Sequence, residues 1–404
     1  MEHAAERYRR LQRAIEGEPL PCAVVDLDAL DGNARTLNAI AGDKGKALRL
    51  ASKSVRCPRL LRHILDGGAG VVRGLMTYTA TETAFLASQG FDDLLLAYPT
   101  AQRSDAELLA RLSAEGKLVS VVCDHEAQLD VLDAAARAAS ATLRIIIELD
   151  VSYRPVGGVQ LGSLRSPLGD VAAVVAFAER VRARKSLRVY GIMAYEGHIA
   201  GSTDKNPLTP WMNLPKRAVK LLSRHQVERA RADAFAALKA AGHEVKVLNG
   251  GGSGSLRWAS AEDALTEVSA GSGYLDSQLF SYYRDLDLEP AAYFALQVVR
   301  KPAPGVLTCH GGGFVASGEV GLDRLPTPAL PEGGALRGFE GAGEVQTPVL
   351  LPKGVDVPLG APYFFRHAKA GELAEHFNHY LLVRGDRVVE KAPTYRGLGH
   401  CFLG

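Results

Sequence analysis

The chain has 404 residues, of which 47% are hydrophobic and 23% charged, a balance typical of globular proteins that argues against disorder. Its formal net charge of +2 excludes a strong field that would attract nucleic acid or an anionic membrane. Five dispersed cysteines without a C-x-x-C pair, a charged N-terminus and no apolar run long enough to cross a bilayer predict a cytoplasmic protein.

Short apolar runs alternate with helical patterns from residue 21 to about residue 275. Most of these runs are continuous in Val, Ile and Leu, which is typical of strands buried on both faces of a parallel sheet. The nine candidates are 22–26, 47–51, 70–73, 93–97, 118–122, 143–150, 187–193, 245–249 and 266–270. A steady βα rhythm over this length predicts an α/β fold of the (β/α)8 TIM-like barrel type. Nine candidates for eight strands mean that one candidate is not a strand or lies outside the barrel.

Helix signals stand between these runs. Thr79 with Glu82 and Ser104 with Glu107 have the spacing of capping boxes, which mark helix N-termini. After the run at 187–193 a long polar loop (199–215) precedes a helical pattern that continues to about residue 241. A loop of that length inside a compact domain is typically functional.

Beyond about residue 285 the pattern changes to period-2 runs separated by Gly and Pro, which predicts a β-rich domain. We therefore expect two domains, a barrel over 1–285 and a β-rich C-terminal domain over 286–404.

Lys53 lies in the segment RLASKSVR (49–56), after the second predicted strand and before a helix that begins at Pro58. Barrels build their active sites at the C-terminal ends of their strands. Small neighbours predict a partly desolvated lysine, and desolvation favours the neutral, nucleophilic amine. The alternative is a solvated surface lysine.

Two glycine-rich turns, GGGSG (250–254) and GSGY (271–274), follow the last two predicted strands. Such turns bring backbone N–H groups close to a phosphate, and barrels commonly bind phosphate after late strands. A lysine at a strand end and a phosphate site together predict a cofactor that forms a Schiff base and carries a phosphate, as pyridoxal 5'-phosphate does. A barrel enzyme that acts on a sugar phosphate without a cofactor is the alternative.

The order of the motifs resembles fold-type III pyridoxal phosphate enzymes, and most closely the D-threonine aldolase/D-serine dehydratase family, which shares an alanine racemase-like N-terminal barrel. The resemblance covers nearly the whole chain. The matching segments are VVDLDAL (24–30), RLASKSVR (49–56), ELDVSYRPVG (148–157), YEGH (195–198), NGGGSGS (249–255) and EVSAGSGYLD (267–276).

The resemblance implies that Lys53 binds the cofactor as a Schiff base. It also implies which residues surround the cofactor's phosphate. These are Gly251, Gly252, Ser253, Gly271, Ser272 and Tyr274.

By the same resemblance, Arg154 would approach the pyridine nitrogen of the cofactor, and Tyr195 and His198 would face the substrate. An ion pair of Arg154 with Glu148 or Asp150 is the alternative for the arginine. His198 could equally be a hydrogen-bonded structural histidine.

The family's metal site pairs a histidine with a cysteine or aspartate two residues later, whereas here His367 is followed by Lys369. An ammonium has no lone pair for a metal, which argues against a divalent ion and gives Lys369 a role as positive charge beside the substrate's 3-hydroxyl. Any metal would bind at His367 with Glu372 or His376. His376 and His379 are spaced to share one face of a predicted helix.

The substrate that the resemblance implies is a D-3-hydroxy amino acid, cleaved by a retro-aldol reaction to glycine and an aldehyde. The alternatives are a D-serine dehydratase-like reaction to a 2-oxo acid and ammonia, an amino acid racemase, and a pyridoxal phosphate carrier without turnover. A homodimer is expected, with His367 and Lys369 acting on the partner's site.

Overall fold

The computed structural model describes residues 3–369 and 371–403. Its described residues form two compact units. We call the first the sheet unit (Met1–Thr36, Ser54–His63 and Ser272–Cys401) and the second the barrel unit (Leu37–Lys53, Ile64–Gly271 and Phe402–Gly404). Neither unit is a single continuous stretch of chain.

The first predicted strand, β1 (Cys22–Asp26), belongs to the sheet unit and is the candidate that lies outside the barrel. It pairs with a C-terminal strand on each side, antiparallel through Val24 and Tyr293 and parallel through Val24 and Leu381. All five of its residues are buried, as they would be in a barrel strand. A continuous apolar run therefore does not distinguish the two environments.

The barrel unit contains a closed barrel of eight parallel strands, which pair in chain order. The last strand returns to the first, with Val268 opposite Leu48. The strands are β2 (Ala47–Ala51), β3 (Val72–Thr77), β4 (Leu94–Leu96), β5 (Val119–Cys123), β6 (Leu143–Glu148), β7 (Leu187–Met193), β8 (Val247–Gly250) and β9 (Glu267–Ala270). The predicted fold class is confirmed.

Eleven α-helices lie among the described residues. They are α1 (Ala4–Ala14), α2 (Leu27–Gly42), α3 (Pro58–Gly67), α4 (Ala80–Ser88), α5 (Arg103–Ala114), α6 (Glu126–Ala138), α7 (Val171–Arg182), α8 (Gly197–Ala200), α9 (Asn213–Ala240), α10 (Leu256–Ser260) and α11 (Ser272–Leu275). The long helix predicted to follow the polar loop is α9. None of these helices has both the length and the apolar character that a membrane span requires.

The sheet unit is built on a mixed sheet in which β1 is a central strand. Its other strands are β10 (Ala292–Ala303), β11 (Val306–His310), β12 (Thr327–Leu330), β13 (Ala335–Leu336), β14 (Gln346–Leu350), β15 (Pro362–Arg366), β16 (His379–Arg384) and β17 (Arg387–Pro393). Leu11 of α1 packs with Val24, Tyr293 and Phe364 in a buried core beside this sheet. The predicted β-rich character of the C-terminal segment is confirmed.

Two local predictions are wrong. Helix α5 begins at Arg103, before Ser104, because the Thr100 side chain organises the turn by accepting from Gln102 N (3.1 Å) and donating to Asp105 Oδ2 (2.7 Å). His376 and His379 do not share a helix, because a 3-10 turn ends at Glu375 and β16 begins at His379. The capping interaction of Thr79 with Glu82 is present.

Candidate active site

Lys53 stands just beyond the carboxyl end of β2, in a 3-10 turn over Ser52–Ser54. Its Nζ lies 2.5 Å from the Tyr98 hydroxyl and 5.2 Å from the centroid of the Tyr98 ring. The side chain is exposed, so the expected partial desolvation is wrong: the small neighbours of Lys53 do not cover it. The lysine and the tyrosine meet at the barrel edge where catalytic residues of this architecture gather.

An arginine lies over two aromatic rings in the barrel unit. The guanidinium carbon of Arg165 is 5.2 Å from the Tyr195 ring centroid and 5.9 Å from that of Tyr98. Burial, with the negative charge of Glu196 second, raises the pKa of Tyr195 to about 12. Tyr195 is therefore protonated at neutral pH and can donate a hydrogen bond.

Arg154 forms an ion pair with Asp150, which the sequence analysis gave as the alternative to a contact with the cofactor. Its Nη2 lies 2.5 Å from Asp150 Oδ2, and its side chain is 48% exposed. The role predicted for it at the cofactor stays a prediction. Sequence reasoning missed Arg165, which lies in the irregular segment after β6, where no motif marks it.

A carboxyl group that titrates near neutrality ends β6. Burial, to which the charges of Asp124 and Asp150 add, raises the pKa of Glu148 to about 7 against the opposing charge of Arg165. The Glu148 side chain can therefore hold or release a proton near neutral pH.

His198 is 8% exposed, and neither of its ring nitrogens has a hydrogen-bond partner among the described residues. Its ring stacks on Tyr153 with centroids 6.4 Å apart. Burial is the main cause that lowers the pKa of His198, so its imidazole is neutral. No hydrogen bond supports the alternative of a structural histidine, and two unpartnered nitrogens suit a group that contacts a ligand.

A buried carboxylate holds the glycine-rich loop after β8. Glu196 accepts from Gly251 N at 3.1 Å and from Ser255 Oγ at 2.6 Å. It also pairs with the fully buried Arg231, which bonds to Glu262 at 2.7 Å. YEGH is one of the segments that carry the family resemblance, but the role of Glu196 was missed because its partners lie far along the chain.

The glycines in this loop permit close approaches that other residues would block. A Cβ at Gly250 would lie 2.5 Å from Nη2 of the buried Arg231, whereas one at Gly252 would be only slightly tight, 3.3 Å from the Ala200 Cβ. Gly251 has φ +81°, which side chains rarely tolerate. Gly271 N donates to Ser253 Oγ at 3.2 Å and so ties the turns after β8 and β9 together.

In the sheet unit, Ser272 and Tyr274 belong to the second glycine-rich turn. Ser272 Oγ lies 3.2 Å from Ser54 Oγ. Tyr274 is fully buried, and its hydroxyl has no hydrogen-bond partner among the described residues. An orphaned buried hydroxyl is costly unless a ligand satisfies it, and a phosphate oxygen would do so.

His367 and Lys369 also belong to the sheet unit. His367 is 3% exposed and both of its ring nitrogens lack a partner among the described residues. Burial, with the charge of Arg366 second, lowers the pKa of His367 to about 3, so its imidazole is neutral. Lys369 Nζ donates to Ser317 Oγ at 2.8 Å, a contact that the sequence did not indicate.

The family described as "Alanine racemase, N-terminal domain" matches residues 25–275, more than half of the chain. The chain belongs to this family. The recognised resemblance to fold-type III pyridoxal phosphate enzymes is thereby confirmed, and with it the cofactor. Within the barrel unit the residues present fit that group: a lysine at the barrel edge, and a loop in which Gly250 and Gly251 have a backbone that leaves no room for, or rarely accepts, a side chain.

Three proteins with named activities are similar to this chain over most of its length, at 26% sequence identity or less. The chain is 26% identical over 316 residues to a D-threonine aldolase of an Arthrobacter species, covering 76% of each protein. The crystal structure of D-threonine aldolase from Filomicrobium marinum superposes with TM-score 0.77 at 22% identity, over 94% of this chain and 95% of that one. D-threo-3-hydroxyaspartate dehydratase from Delftia sp. HT23 gives TM-score 0.74 at 18% identity, over 94% and 98%. These two structures support the shared fold.

Proposed function

We propose that this protein is a pyridoxal phosphate-dependent lyase that cleaves D-3-hydroxy amino acids to glycine and an aldehyde. The observation that carries the proposal is Lys53 beside Tyr98 at the carboxyl edge of a barrel of the alanine racemase family. The relative named D-threonine aldolase supports the reaction, since it matches three quarters of the chain.

The residues that would hold the cofactor follow from the contacts of each unit. Lys53 would bind it covalently, and Ser253, in the glycine-rich loop after β8 of the same unit, would take the phosphate. The phosphate contact of Tyr274 stays a prediction. When bound, pyridoxal phosphate withdraws electrons from the substrate's Cα, which weakens the bonds to that carbon.

Arg165 is a better candidate than Arg154 for the guanidinium that faces the cofactor ring. Its position over the Tyr195 and Tyr98 rings places it beside the partner of Lys53, whereas Arg154 is paired with Asp150. A guanidinium stays protonated, so it would leave the ring nitrogen unprotonated and limit how strongly the cofactor withdraws electrons.

Retro-aldol cleavage needs a base for the proton of the 3-hydroxyl and a donor that returns a proton to Cα. The neutral imidazole of His198, with both nitrogens unpartnered, suits the base. The Cα–Cβ bond breaks as that proton leaves, and the aldehyde departs. The carbon left behind takes its proton from Lys53 Nζ or from the Tyr195 hydroxyl, which is protonated at neutral pH.

The test is to incubate the purified protein with D-threonine and identify the products. We expect glycine and acetaldehyde in equal amounts. Ammonia with 2-oxobutanoate would show a dehydratase, and L-allothreonine, the product of inversion at Cα, would show a racemase; either result would overturn the proposal.

Replacing the lysine tests the covalent assignment. We expect Lys53→Ala to lose the chromophore that borohydride reduces onto the protein, together with turnover. Lys44→Ala is the matched control, because Lys44 is an exposed lysine just before β2. A reducible chromophore retained in Lys53→Ala would refute the role of Lys53.

A further inference from the structure

A cavity of about 280 Å³ lies within the barrel unit at the amino ends of β7 and β8. Lys53 and the glycine-rich loop follow the carboxyl ends of their strands, so the cavity is at the opposite end of the barrel. Among the described residues that line it, five carry a Lys or Arg side chain and one carries a carboxylate. These charged residues are Arg182, Arg184, Lys185, Arg188, Lys246 and Glu244.

Three basic residues of the cavity wall have acidic partners that hold them in place. Arg182 pairs with Glu179 at 3.1 Å, and His243 Nε2 lies 3.0 Å from the same carboxylate. Arg184 pairs with Asp130 at 2.5 Å. The wall of the cavity is therefore fixed by contacts that do not involve a ligand.

The other basic residues of the lining have no such partner. Lys185, Arg188 and Lys246 are exposed, and none of them has a carboxylate within ion-pair distance among the residues that the structure describes. An anion that enters the cavity would meet three positive charges that no acidic side chain neutralises.

Two arginines lie side by side at this end of the barrel. Arg144 of β6 is opposite Arg188 of β7 in the strand register. Both guanidinium groups contact the same ring, with their carbons 4.6 Å and 6.0 Å from the centroid of Tyr190. Like charges opposite each other on neighbouring strands are destabilising. The ring offsets part of this repulsion, and a bound anion would offset more of it.

We propose that this cavity binds a small anion that carries two phosphate groups. The planar donors of the Arg188 guanidinium match the oxygens of one phosphate, and the ammonium groups of Lys185 and Lys246 attract the second as point charges. The volume of the cavity is close to the lower limit of ligand pockets, about 300 Å³, and suits a ligand of this size. This assignment does not rest on the proposed function.

The first test uses the protein saturated with pyridoxal phosphate, so that the cofactor's own phosphate site is filled. Isothermal titration with inorganic pyrophosphate, without divalent metal, is expected to show saturable binding of one ion per chain. The Kd is expected to rise with added KCl, because salt screens exposed charges. Pyrophosphate should also raise the unfolding temperature, since it binds the folded state. A titration without saturation at millimolar pyrophosphate would overturn the proposal.

The second test removes two of the cations that have no acidic partner. The double variant Arg188→Gln/Lys246→Gln is expected to raise the Kd for pyrophosphate about tenfold or more, because charge-assisted hydrogen bonds to phosphate are lost. Lys44→Gln/Arg73→Gln is the matched control, since it removes an exposed lysine and an exposed arginine near the amino ends of β2 and β3. It should keep the wild-type Kd. Equal weakening in both double variants, or an unchanged Kd in the first, would contradict the assignment.

The third test distinguishes the sources of the anion. ADP carries a diphosphate on a nucleoside, so tighter binding of ADP than of pyrophosphate identifies a nucleotide as the ligand. Equal or weaker binding identifies free diphosphate, and both results support the site if Arg188→Gln/Lys246→Gln weakens them. A single-stranded RNA that binds more tightly than either anion, and is lost in that variant, would show a nucleic-acid surface and overturn the proposal of a small anion.

Discussion

Arg154 and Arg165 are both candidates for the guanidinium that faces the cofactor ring, and their contacts differ. Arg165 lies over the Tyr98 and Tyr195 rings, an arrangement in which an exposed guanidinium gains about 0.5–1 kcal/mol. Arg154 is 48% exposed and forms an ion pair with Asp150. Both arginines are exposed, so what separates them is that Arg165 lies beside Tyr98, the hydrogen-bond partner of Lys53.

We therefore predict that Arg165→Met shifts the absorption maximum of the bound cofactor and lowers kcat/KM by about tenfold or more, the equivalent of 1.4 kcal/mol. Arg154→Met removes the same charge from the loop and is the matched variant. It is expected to leave the spectrum unchanged. A spectral shift in Arg154→Met alone would return the role to Arg154, as the sequence resemblance suggested.

At the scale of single elements, the sequence predicted the barrel strands because each is a short apolar run between helices. It indicated Lys53 because the active sites of barrels lie at the C-terminal ends of their strands. It could not place β1, since five buried residues suit any strand with neighbours on both sides. Tyr98 comes two residues after β4, so the expectation that functional residues follow barrel strands could have identified it, as it identified Lys53. Contacts between distant segments, such as Ser317 with Lys369, leave no local pattern.

The glycine-rich loop illustrates how an element depends on a buried network. Glu196 accepts from the loop at Gly251 N and Ser255 Oγ, and Arg231 neutralises Glu196 and Glu262 in a site with almost no exposure. Losing the arginine would leave two carboxylates buried without a counter-ion. The loop that we expect to bind the phosphate would then lose its support.

We predict that Arg231→Met lowers the free energy of unfolding by about 3–5 kcal/mol and weakens pyridoxal phosphate binding. Thermal unfolding and fluorescence titration of the cofactor-free protein would measure both effects. Arg229→Met, on the same helix, breaks an exposed pair with Asp233 and is expected to cost less than about 1 kcal/mol. Equal stability of the two variants would show that the buried network does not support the loop.

At the scale of the whole molecule, the N-terminus completes the C-terminal sheet. Strand β1 pairs with β10 on one side and β16 on the other, so a division of the chain at residue 285 removes a central strand. Two strands would then present unpaired N–H and C=O groups and the apolar side chains that β1 covers, such as Tyr293 and Leu381. Unpaired strands of this kind promote aggregation.

We predict that a fragment of residues 286–404 does not fold on its own. Circular dichroism during heating should show no cooperative transition, and gel filtration should show aggregates, because the two halves of the sheet have lost the strand that joins them. Adding a peptide of residues 1–36 should reduce aggregation by restoring β1 and the Leu11 face of α1. A cooperative transition in the fragment alone would mean that β1 is dispensable, and that the domain boundary predicted from the sequence is the one that governs folding.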